Sequence, residues 1–494
     1  MFMGEKIVRS RFVNKLFDMS LPALTWFLIT IPIWLSPFHP AVVAYLIIAF
    51  DLYFLFKSLN TIYLAVVSYQ KIFITDKVNF FALLKKIEGH DEINHIIIVP
   101  NFKEPIYKME STIQSIIDNK YPKKNVLLVL AFEERETEAH DKYSKLQKKY
   151  GSQFGDFLAS YHPLADNEVP GKASNQTFAA RIIDRYTQDK GWKRENCLIT
   201  ICDADSHLPN NYFSYLTHTY LKDTNKIYHF YCAPVLLYNN FWKLPISVRM
   251  QATMSSIVRL AFLGYKDNLI QISTYSASLW LLKQINFWDV DIIPEDWHIY
   301  LQAFFTYGKK VKAIPLYTII NSDAVYSGGV IKTLINRYEQ EKRWAWGASD
   351  IAYALRKFFT TMNVDFFPKL KKLFFIMETH LLWPSSFFIL TLSASIPPLI
   401  NPVFKRTVLG FLLPKLSGFI LTVSSSMLIL YVYLDVKLRQ KVNVKTKFQS
   451  LPLLFIQWYF LPIISFFFSS LPALDAHTRL LFGKKLKYKV TEKV

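Results

Sequence analysis

Five apolar runs frame the 494-residue chain and restrict what it can fold into. Two lie near its start, at residues 21–38 and 40–56, and three lie beyond its middle, at about 381–400, 416–434 and 451–474. Each of the first two approaches the roughly 20 residues that a helix needs to cross a hydrocarbon core. Asp51 is the one charged residue within them. The pattern predicts a multi-pass membrane protein that begins with a hairpin of two spans.

The distribution of positive charge orients these spans. The chain has 58 Lys and Arg against 38 Asp and Glu, a formal charge of +20, and most Lys residues flank the spans or lie on amphipathic faces. Four basic residues precede the first run and no fixed charge separates the first two, so the N-terminus is expected in the cytoplasm. The charged segment after Lys57 is then cytoplasmic, in a protein of the plasma membrane. No separate basic strip with interleaved aromatic residues indicates nucleic acid, which leaves membrane lipids as partners.

The last apolar run predicts a different placement from the others. The basic tail that follows it belongs in the cytoplasm by the positive-inside tendency, but three late crossings would put it outside. Pro452, Pro462 and Pro472 recur every ten residues and would break a continuous span, so we expect an interfacial helix there. The predicted organisation is a tail with two transmembrane helices (1–70), a cytoplasmic domain (71–372), a membrane region of two spans plus an interfacial helix (373–474) and a basic cytoplasmic tail (475–494).

The central segment has the pattern of an α/β domain. Short apolar runs without alternation, at 96–99, 126–131 and 197–202, are typical of strands buried on both faces of a parallel sheet. A helical spacing of apolar residues at 109–117 lies between the first two, which makes a strand–helix–strand unit. Ligands bind at the carboxyl ends of strands in such sheets. Asp203 and Asp205 follow the third strand and therefore mark the expected site.

Two acidic pairs in this segment have a functional and a structural interpretation. Asp203 and Asp205 could hold Mg²⁺ or Mn²⁺ against a diphosphate, because these cations prefer oxygen ligands, but a solvated turn gives the same residues. Glu295 and Asp296 open an apolar-periodic helix, where acidic residues also act as N-terminal caps that favour the helix dipole. Taken singly, neither pair decides between its two interpretations.

A third element is a helical face that carries an amide, a guanidinium and an indole. Gln340, Arg343 and Trp344 are three and four residues apart and so share one side of the predicted helix. Such a face suits the recognition of diphosphate and sugar groups, with a sugar stacked on the indole.

Together these elements resemble the membrane-embedded family 2 glycosyltransferases, the group that contains bacterial cellulose and hyaluronan synthases. The motifs follow the order of that family between membrane segments. They are VPNFKEP (99–105), Tyr-Pro (121–122), GKASN (171–175), DAD (203–205), Glu-Asp (295–296), QEKRW (340–344) and the tail sequence YKVTEK (488–493). The resemblance implies a Rossmann-like GT-A domain, with a mixed and mostly parallel sheet flanked by helices, inserted between transmembrane helices.

The resemblance also implies a role for each matching residue. Asp296, with Glu295, is the catalytic pair, and Asp296 is the general base. The donor is held by Glu104, Glu133, Lys172, Asp203, Asp205 and Arg343, and the metal, Mg²⁺ or Mn²⁺, by Asp203 and Asp205. Gln340 and Trp344 hold the acceptor. The tail residues Tyr488, Val490, Thr491 and Lys493 match a gating loop that closes over the nucleotide.

The departures from the family pattern concern the choice of nucleotide and leave the reacting groups in place. Glu133 stands where the family usually has an Asp after the second strand. We expect the family's usual donor, a UDP-sugar, but this replacement leaves the choice of nucleotide open. Ser206 separates the DAD motif from His207, so a histidine metal ligand is not assumed. Pro294 and Tyr488 replace a Thr and a Phe of the family motifs and leave the reacting groups intact.

The implied function is an inverting hexosyltransferase of polysaccharide biosynthesis that uses a nucleotide-sugar donor and a glycan acceptor. Two alternatives stay open. One is a non-processive enzyme that adds a single sugar to a lipid-linked acceptor, since four crossing segments are few for a polysaccharide channel. The other is a catalytically silent membrane scaffold. A scaffold would have no need to keep Asp203, Asp205, Asp296 and Arg343.

Overall fold

A seven-stranded mixed sheet forms the centre of the molecule. The computed structural model describes residues 11–444, 456–484 and 486. The strands are β1 (Asn94–Asn101), β2 (Val126–Glu133), β3 (Asp156–His162), β4 (Cys197–Ile201), β5 (Phe230–Cys232), β6 (Val235–Leu236), β7 (Tyr275–Ser278), β8 (Ala313–Pro315) and β9 (Ile320–Asn321). Their order in the large sheet is β3-β2-β1-β4-β7-β5-β8, and β6 pairs with β9 in a small second sheet.

The apolar runs form the parallel half of the sheet. Strand β1 pairs in parallel with β2, where Ile97 lies opposite Leu128, and with β4, where Ile97 lies opposite Thr200. Strand β7 is antiparallel to both β4 and β5. Ile96 and Ile98 belong to the core on one face of the sheet, and Ile97 and Val99 to the core on the other. Burial on both faces explains why these strands lack the alternation of polar and apolar residues.

Helices flank this sheet, and further helices precede and follow it in the chain. They are α1 (Arg11–Leu35), α2 (Pro40–Thr75), α3 (Phe80–Leu84), α4 (Ile106–Ile117), α5 (Ala139–Tyr150), α6 (Lys172–Asp189), α7 (Tyr212–Lys222), α8 (Ile246–Phe262), α9 (Leu279–Gln284), α10 (Glu295–Tyr307), α11 (Val330–Ala345), α12 (Ser349–Thr360), α13 (Phe366–Leu392), α14 (Ile396–Ile400), α15 (Pro402–Lys405), α16 (Val408–Ser426), α17 (Leu428–Lys441), α18 (Leu461–Ser465) and α19 (Leu471–Leu481). The predicted α/β domain inserted between apolar helices is confirmed.

Five helical segments in the described part of the chain are long and apolar enough to cross a membrane. They are Phe12–Leu35, Pro40–Thr75, Phe366–Ile400, Val408–Lys441 and Gln457–Leu481. Helix α2 is 36 residues long, more than a crossing requires, and its second half packs on α8 of the central domain. This apolar helix and the central domain therefore share a packed contact.

The last apolar run keeps its helical path through its prolines. Pro462 lies in the first turn of α18 and Pro472 in the first turn of α19, and a π-helical turn, Phe466–Ser470, joins the two. Proline is tolerated in a first turn because its missing N–H has no partner there. The proline spacing therefore divides this segment without ending it. Its interfacial placement stays a prediction. Pro452 and the tail residues Tyr488, Val490, Thr491 and Lys493 lie outside the described residues.

Candidate active site

The ends of the strands and the starts of two helices place the predicted site residues around one cavity of about 630 Å³. Asp203 and Asp205 follow β4, Glu133 ends β2, and Lys172 and Glu295 are the first residues of α6 and α10. All ten predicted residues within the described part of the chain line this cavity: Glu104, Glu133, Lys172, Asp203, Asp205, Glu295, Asp296, Gln340, Arg343 and Trp344. The structure thus brings six separate stretches of sequence to one place.

Lys172 lies among three of the carboxylates. Its Nζ is 2.8 Å from Asp203 Oδ1, 3.0 Å from Glu295 Oε1 and 3.9 Å from Asp296 Oδ1. One ammonium group thus faces three carboxylates and leaves the cluster net negative. Lys172 holds the two acidic motifs together in this arrangement, and its expected contact with the diphosphate stays a prediction.

Ser273 joins the same three motifs through three different atoms. Its N–H donates to Asp296 Oδ2 at 2.7 Å, its hydroxyl donates to Asp203 Oδ2, and its carbonyl oxygen accepts from Lys172 Nζ at 3.2 Å. Its φ of 66° lies in the left-handed region, which is uncommon for residues other than glycine. Ser273 therefore adopts an uncommon backbone conformation at the position where its three polar groups contact the site residues.

Burial and the charge cluster shift the ionisation of these groups in opposite directions. Burial alone would lower the pKa of Lys172, but Asp203, Glu295 and Asp296 outweigh it and raise this pKa well above its usual value. Burial and the neighbouring Glu295 raise the pKa of Asp296 well above the usual carboxyl range, against the opposing effects of Lys172 and Ser273. Asp296 is thus a stronger base than an exposed carboxylate.

A buried histidine fixes the helix that carries Glu295 and Asp296. His298, one turn along α10, lies 2.8 Å from Asp350 and 2.9 Å from Asp289 through its two ring nitrogens. Burial would lower its pKa, but the two aspartates outweigh burial and raise it to about 9. The charged ring therefore ties α10 to α12, which follows the helix of the QEKRW motif.

The second aspartate of the DAD motif contacts the loop between β9 and α11. Asp205 Oδ2 accepts from the backbone N–H of Asp323 at 3.2 Å, and Asp323 is paired with Lys108 at 2.9 Å. His207 instead bonds Ser111 through Nε2 at 2.8 Å, while its backbone pairs with Asn321. His207 therefore has a structural partner on α4.

The ends of β1 and β2 build the part of the cavity where the resemblance predicts the nucleotide. Glu133 is almost fully buried and accepts from Arg135 Nε at 2.5 Å, and the Arg135 guanidinium lies 4.2 Å from the centre of the Phe102 ring. Glu104 lies in the loop after β1, where its N–H donates to Asn101 Oδ1 at 3.3 Å. Asn175 of the GKASN motif donates to the carbonyl oxygen of Ala131 at 2.7 Å.

A buried ion pair between Arg337 and Glu341 orients polar side chains of α11. Arg337 donates to both Gln340 Oε1 and Glu341 Oε2, so one guanidinium orients the amide of the QEKRW motif and its neighbour. Gln251 of α8 donates to Glu341 Oε2 at 2.9 Å and to the carbonyl oxygen of Phe468 at 3.0 Å. The motif is thereby tied to α8 and to the last apolar helical segment.

Trp344 lies beside two guanidinium groups. The centre of one of its rings is 4.7 Å from the Arg337 guanidinium carbon and 5.3 Å from that of Arg259. Arg259 also lines the cavity, and its Nη1 donates to the carbonyl oxygen of Val235 at 3.0 Å. The aromatic side chain is therefore held in place by cations on α11 and α8.

Side chains of the apolar helical segments complete the wall of the cavity. His380 and Trp383 of α13 face it together with Leu461 and Ile464 of α18. Trp383 Nε1 donates to Ser469 Oγ at 3.0 Å, which joins the two segments. The cavity therefore extends from the strand ends to the helices that are long enough to cross a membrane.

The acidic residues after β4 have the chemistry to hold a divalent cation. Mg²⁺ and Mn²⁺ take oxygen ligands, and Mg²⁺ is commonly bound by one or two carboxylates together with substrate phosphates and waters. Asp203 and Asp205 supply such carboxylates at the cavity wall. Among the described residues, no group of three or more His, Cys, Asp and Glu is arranged to bind a metal.

Several residues that the sequence analysis did not single out belong to this site. Ser273 lies in a loop before β7, and Arg259 and Gln251 lie on α8, in segments without a recognisable motif. Glu341 sits inside the QEKRW motif at a position that the resemblance leaves unassigned. Only its charge, next to Gln340, could have indicated a role.

Comparisons with solved structures give distant likenesses. The mannosyltransferase PcManGT from Pyrobaculum calidifontis, in complex with GDP-Man and Mn²⁺, is 12% identical, with a TM-score of 0.42 over 81% of this chain and 100% of its own. TarS 1–349 from S. aureus is 11% identical, with a TM-score of 0.36 over 67% and 90%. GalNAc-T7 with UDP, GalNAc and Mn²⁺ is 13% identical, with a TM-score of 0.30 over 62% and 57%. Among curated proteins, none matches the chain.

The family assignment rests on the sequence of the chain itself. The model of glycosyl transferase family group 2 matches residues 198–468, more than half of the chain, and this stretch runs from β4 to the π-helical turn before α19. It includes the DAD, Glu-Asp and QEKRW motifs around the cavity. The chain therefore belongs to glycosyl transferase family group 2 and is a glycosyltransferase with a GT-A fold between apolar helices.

Proposed function

We propose that the chain is an inverting glycosyltransferase that moves a sugar from a nucleotide-sugar donor to a hydroxyl group of a glycan acceptor at the cytoplasmic face of the membrane. The observation that carries this proposal is the convergence of Asp203, Glu295 and Asp296 on Lys172 and Ser273, in a cavity that also contains Gln340, Arg343 and Trp344. A UDP-sugar is the expected donor, with Glu133 at the nucleotide end.

In the proposed reaction the acceptor hydroxyl attacks the anomeric carbon of the donor. A bond forms between the acceptor oxygen and this carbon while the bond to the diphosphate oxygen breaks on the opposite face. Asp296 takes the hydroxyl proton. Its Oδ2 accepts from the Ser273 N–H and its Oδ1 lies 3.9 Å from Lys172 Nζ, so both oxygens of this carboxylate are held in place. A positioned base of this kind contributes about 10²–10⁴-fold in rate.

The leaving diphosphate needs positive charge. When bound, Mg²⁺ or Mn²⁺ would offset its negative charge, and Asp203 and Asp205 are the residues that would hold the cation. Arg343 is the guanidinium of the family motif that lines the same cavity. Fixed charges aimed at the developing negative charge typically contribute a few kcal/mol.

The acceptor meets the membrane side of the cavity. Gln340 and Trp344 would bind its sugar, and the wall formed by Trp383, Leu461 and Ile464 supports an acceptor that lies against the membrane helices. Such an acceptor is a growing polysaccharide or a lipid-linked glycan. The two differ in product length, a property that can be measured.

The test is a survey of nucleotide sugars with purified full-length protein in nanodiscs. UDP-, GDP- and CDP-sugars are supplied with Mg²⁺ or Mn²⁺, and released nucleoside diphosphate is measured together with product size and the anomeric configuration of the new bond. We expect one donor class to be consumed with inversion. A ladder of long products indicates processive synthesis, and a single added sugar indicates a lipid-linked acceptor.

Matched variants connect the result to the cavity. Asp203→Ala should abolish the signal, whereas Asp141→Asn, which alters an exposed ion pair with Lys145, should retain it. Retention of configuration would contradict the inverting mechanism. No transfer from any donor, with the protein still folded, would favour the scaffold alternative.

A further inference from the structure

Arg259 is a cationic side chain of the cavity that none of the family motifs contains. It lies on α8, near the end of the helix, and its guanidinium both lines the cavity and approaches Trp344. Burial and Arg337 lower its pKa, while Asp203, Asp296 and Glu341 oppose them, and the result is a pKa of about 10. Arg259 is therefore charged at neutral pH.

The charges that line the cavity are strongly unbalanced. Among the described residues, three cations, Lys172, Arg259 and Arg343, face eight carboxylates: Glu104, Glu133, Asp203, Asp205, Glu295, Asp296, Asp323 and Glu341. Three of these carboxylates, Glu133, Asp323 and Glu341, have cationic partners outside the lining, but the other five still outnumber the three cations, so a substrate that carries phosphate needs cations directed at it. Each cation that is not already neutralised therefore matters for binding.

Lys172 and Arg259 differ in this respect. Lys172 is in contact with three carboxylates, so most of its charge is already compensated. Arg259 forms no ion pair within 4 Å in the described parts of the chain, and the hydrogen bond that it donates goes to a neutral backbone carbonyl. Its charge is thus compensated less than that of Lys172.

The surroundings of Arg259 also hold it in position. One Nη is bound to Val235, the ring of Trp344 lies beside the guanidinium, and Gln251 on the same helix is tied to Glu341 of α11. A guanidinium whose plane is fixed loses less conformational entropy when it binds, and it can form two parallel hydrogen bonds to phosphate oxygens.

We propose that Arg259 binds a phosphate group of the substrate in the catalytic cavity. This inference rests on the proposed function and extends it to a residue outside the family motifs. The phosphate belongs either to the nucleoside diphosphate of the donor or to the phosphate of a lipid-linked acceptor. The chemistry of recognition is the same, and separate binding measurements distinguish the two sources.

The test measures ligand affinity for the full-length protein in nanodiscs, with Mn²⁺ present. The probes are UDP and GDP, their nucleosides uridine and guanosine, and a short-chain polyprenyl phosphate with the matching polyprenol. We expect Arg259→Gln to weaken binding of one class of phosphate probe at least about tenfold, and Arg259→Lys, which keeps the charge, to weaken it less. Affinity for the nucleosides and the polyprenol should not change.

Arg249→Gln is the matched control. Arg249 lies on the same helix, is 4% exposed and approaches the Phe241 and Trp242 rings, but it is not among the residues that line the cavity. Its variant should bind every phosphate probe as the wild type does. Thermal unfolding of all variants reports any loss of folding.

Each outcome has one meaning. Weaker binding of UDP or GDP alone assigns Arg259 to the donor, and weaker binding of the polyprenyl phosphate alone assigns it to the acceptor. Unchanged affinity for both, or an equal loss for the phosphate-free probes, would overturn the inference while leaving the proposed function intact. If the wild type bound neither class of phosphate probe, the proposed function would fail and the inference with it.

Discussion

Two walls of the cavity hold their polar groups in different ways. On the carboxylate wall, which comprises Lys172, Asp203, Ser273, Glu295 and Asp296, short contacts link every residue to another member. On the helical wall, which comprises Arg259, Gln340, Arg343, Trp344 and Trp383, the described contacts include guanidinium groups close to an aromatic ring and single hydrogen bonds to residues outside this wall.

This difference suggests a division of labour. The carboxylate wall places charged groups before the substrate arrives, which is the arrangement that lowers a reaction barrier, because the groups need not reorganise in the transition state. The helical wall offers rings, an amide and cations, which suit the binding of sugar and phosphate. Changes at Ser273, Glu295 and Asp296 should therefore affect turnover most, and changes at Arg259, Gln340 and Trp344 should affect affinity most.

The largest effect is expected for Asp296→Asn. We expect turnover to fall at least about 10²-fold, because the acceptor hydroxyl loses its base, while donor affinity stays within about threefold. Steady-state kinetics and donor titration of the same preparation provide both values. An equal loss of donor affinity would remove Asp296 from the role of base and merge the two walls into one binding surface.

Asp205, the second carboxylate of the DAD motif, belongs to neither wall, and its removal should weaken donor binding. Asp205→Ala is expected to weaken metal-dependent donor binding at least about tenfold, because one oxygen ligand of the cation is lost. A chelator should have the same effect on the wild type. If neither the variant nor the chelator changed donor affinity in a titration with Mn²⁺, the acidic pair would be only a turn.

A change on the helical wall should alter acceptor affinity most. Trp344→Ala is expected to raise the acceptor KM by up to about tenfold, with a smaller effect on kcat, since a stacked aromatic contact is worth about 0.5–1.5 kcal/mol. Trp344→Phe keeps a ring and serves as the control. A fall in kcat alone would contradict the assignment of this wall to binding.

The smallest effect is expected at Ser273. Ser273→Ala removes the hydroxyl that bonds Asp203 but keeps the N–H that bonds Asp296, so we expect a fall in kcat of about three- to tenfold. Ser273→Gly removes the same hydroxyl and suits the left-handed backbone, which makes it the matched variant. Equal kcat values for the two variants would attribute the loss to the hydroxyl. An unchanged kcat in both would show that this hydroxyl positions nothing.

The sequence could predict what depends on local pattern. The runs at 96–99 and 126–131 predicted β1 and β2, and the acidic pair at 295–296 predicted the start of α10, because strand burial and helix N-termini leave signals in neighbouring residues. The order of the motifs also indicated which residues share a site.

The remaining features depend on contacts between distant segments. The antiparallel strand β7 is four residues long, and Ser273 before it owes its place to partners about 100 and 70 residues earlier in the chain. Lys172 was expected at the diphosphate, yet it lies among carboxylates supplied by two other segments. The proline spacing predicted a break in the last apolar run, because proline disrupts the interior of a helix. In the structure Pro462 and Pro472 lie in the first turns of helices, where proline is tolerated. No pattern of neighbouring residues carries this information.

The pH dependence of single-turnover transfer tests most directly whether the carboxylate wall performs the chemistry. Asp296 works as a base only when it is ionised, and burial together with Glu295 raises its pKa well above the usual range near 4. The rate constant should therefore rise with pH through an acid limb whose apparent pKa exceeds the normal carboxyl value, and Asp296→Asn should remove this limb along with most of the rate. The apparent pKa belongs to the interacting pair, so Glu295→Gln should lower it. A rate that is independent of pH in the wild type, or an acid limb that persists in Asp296→Asn, would contradict the account.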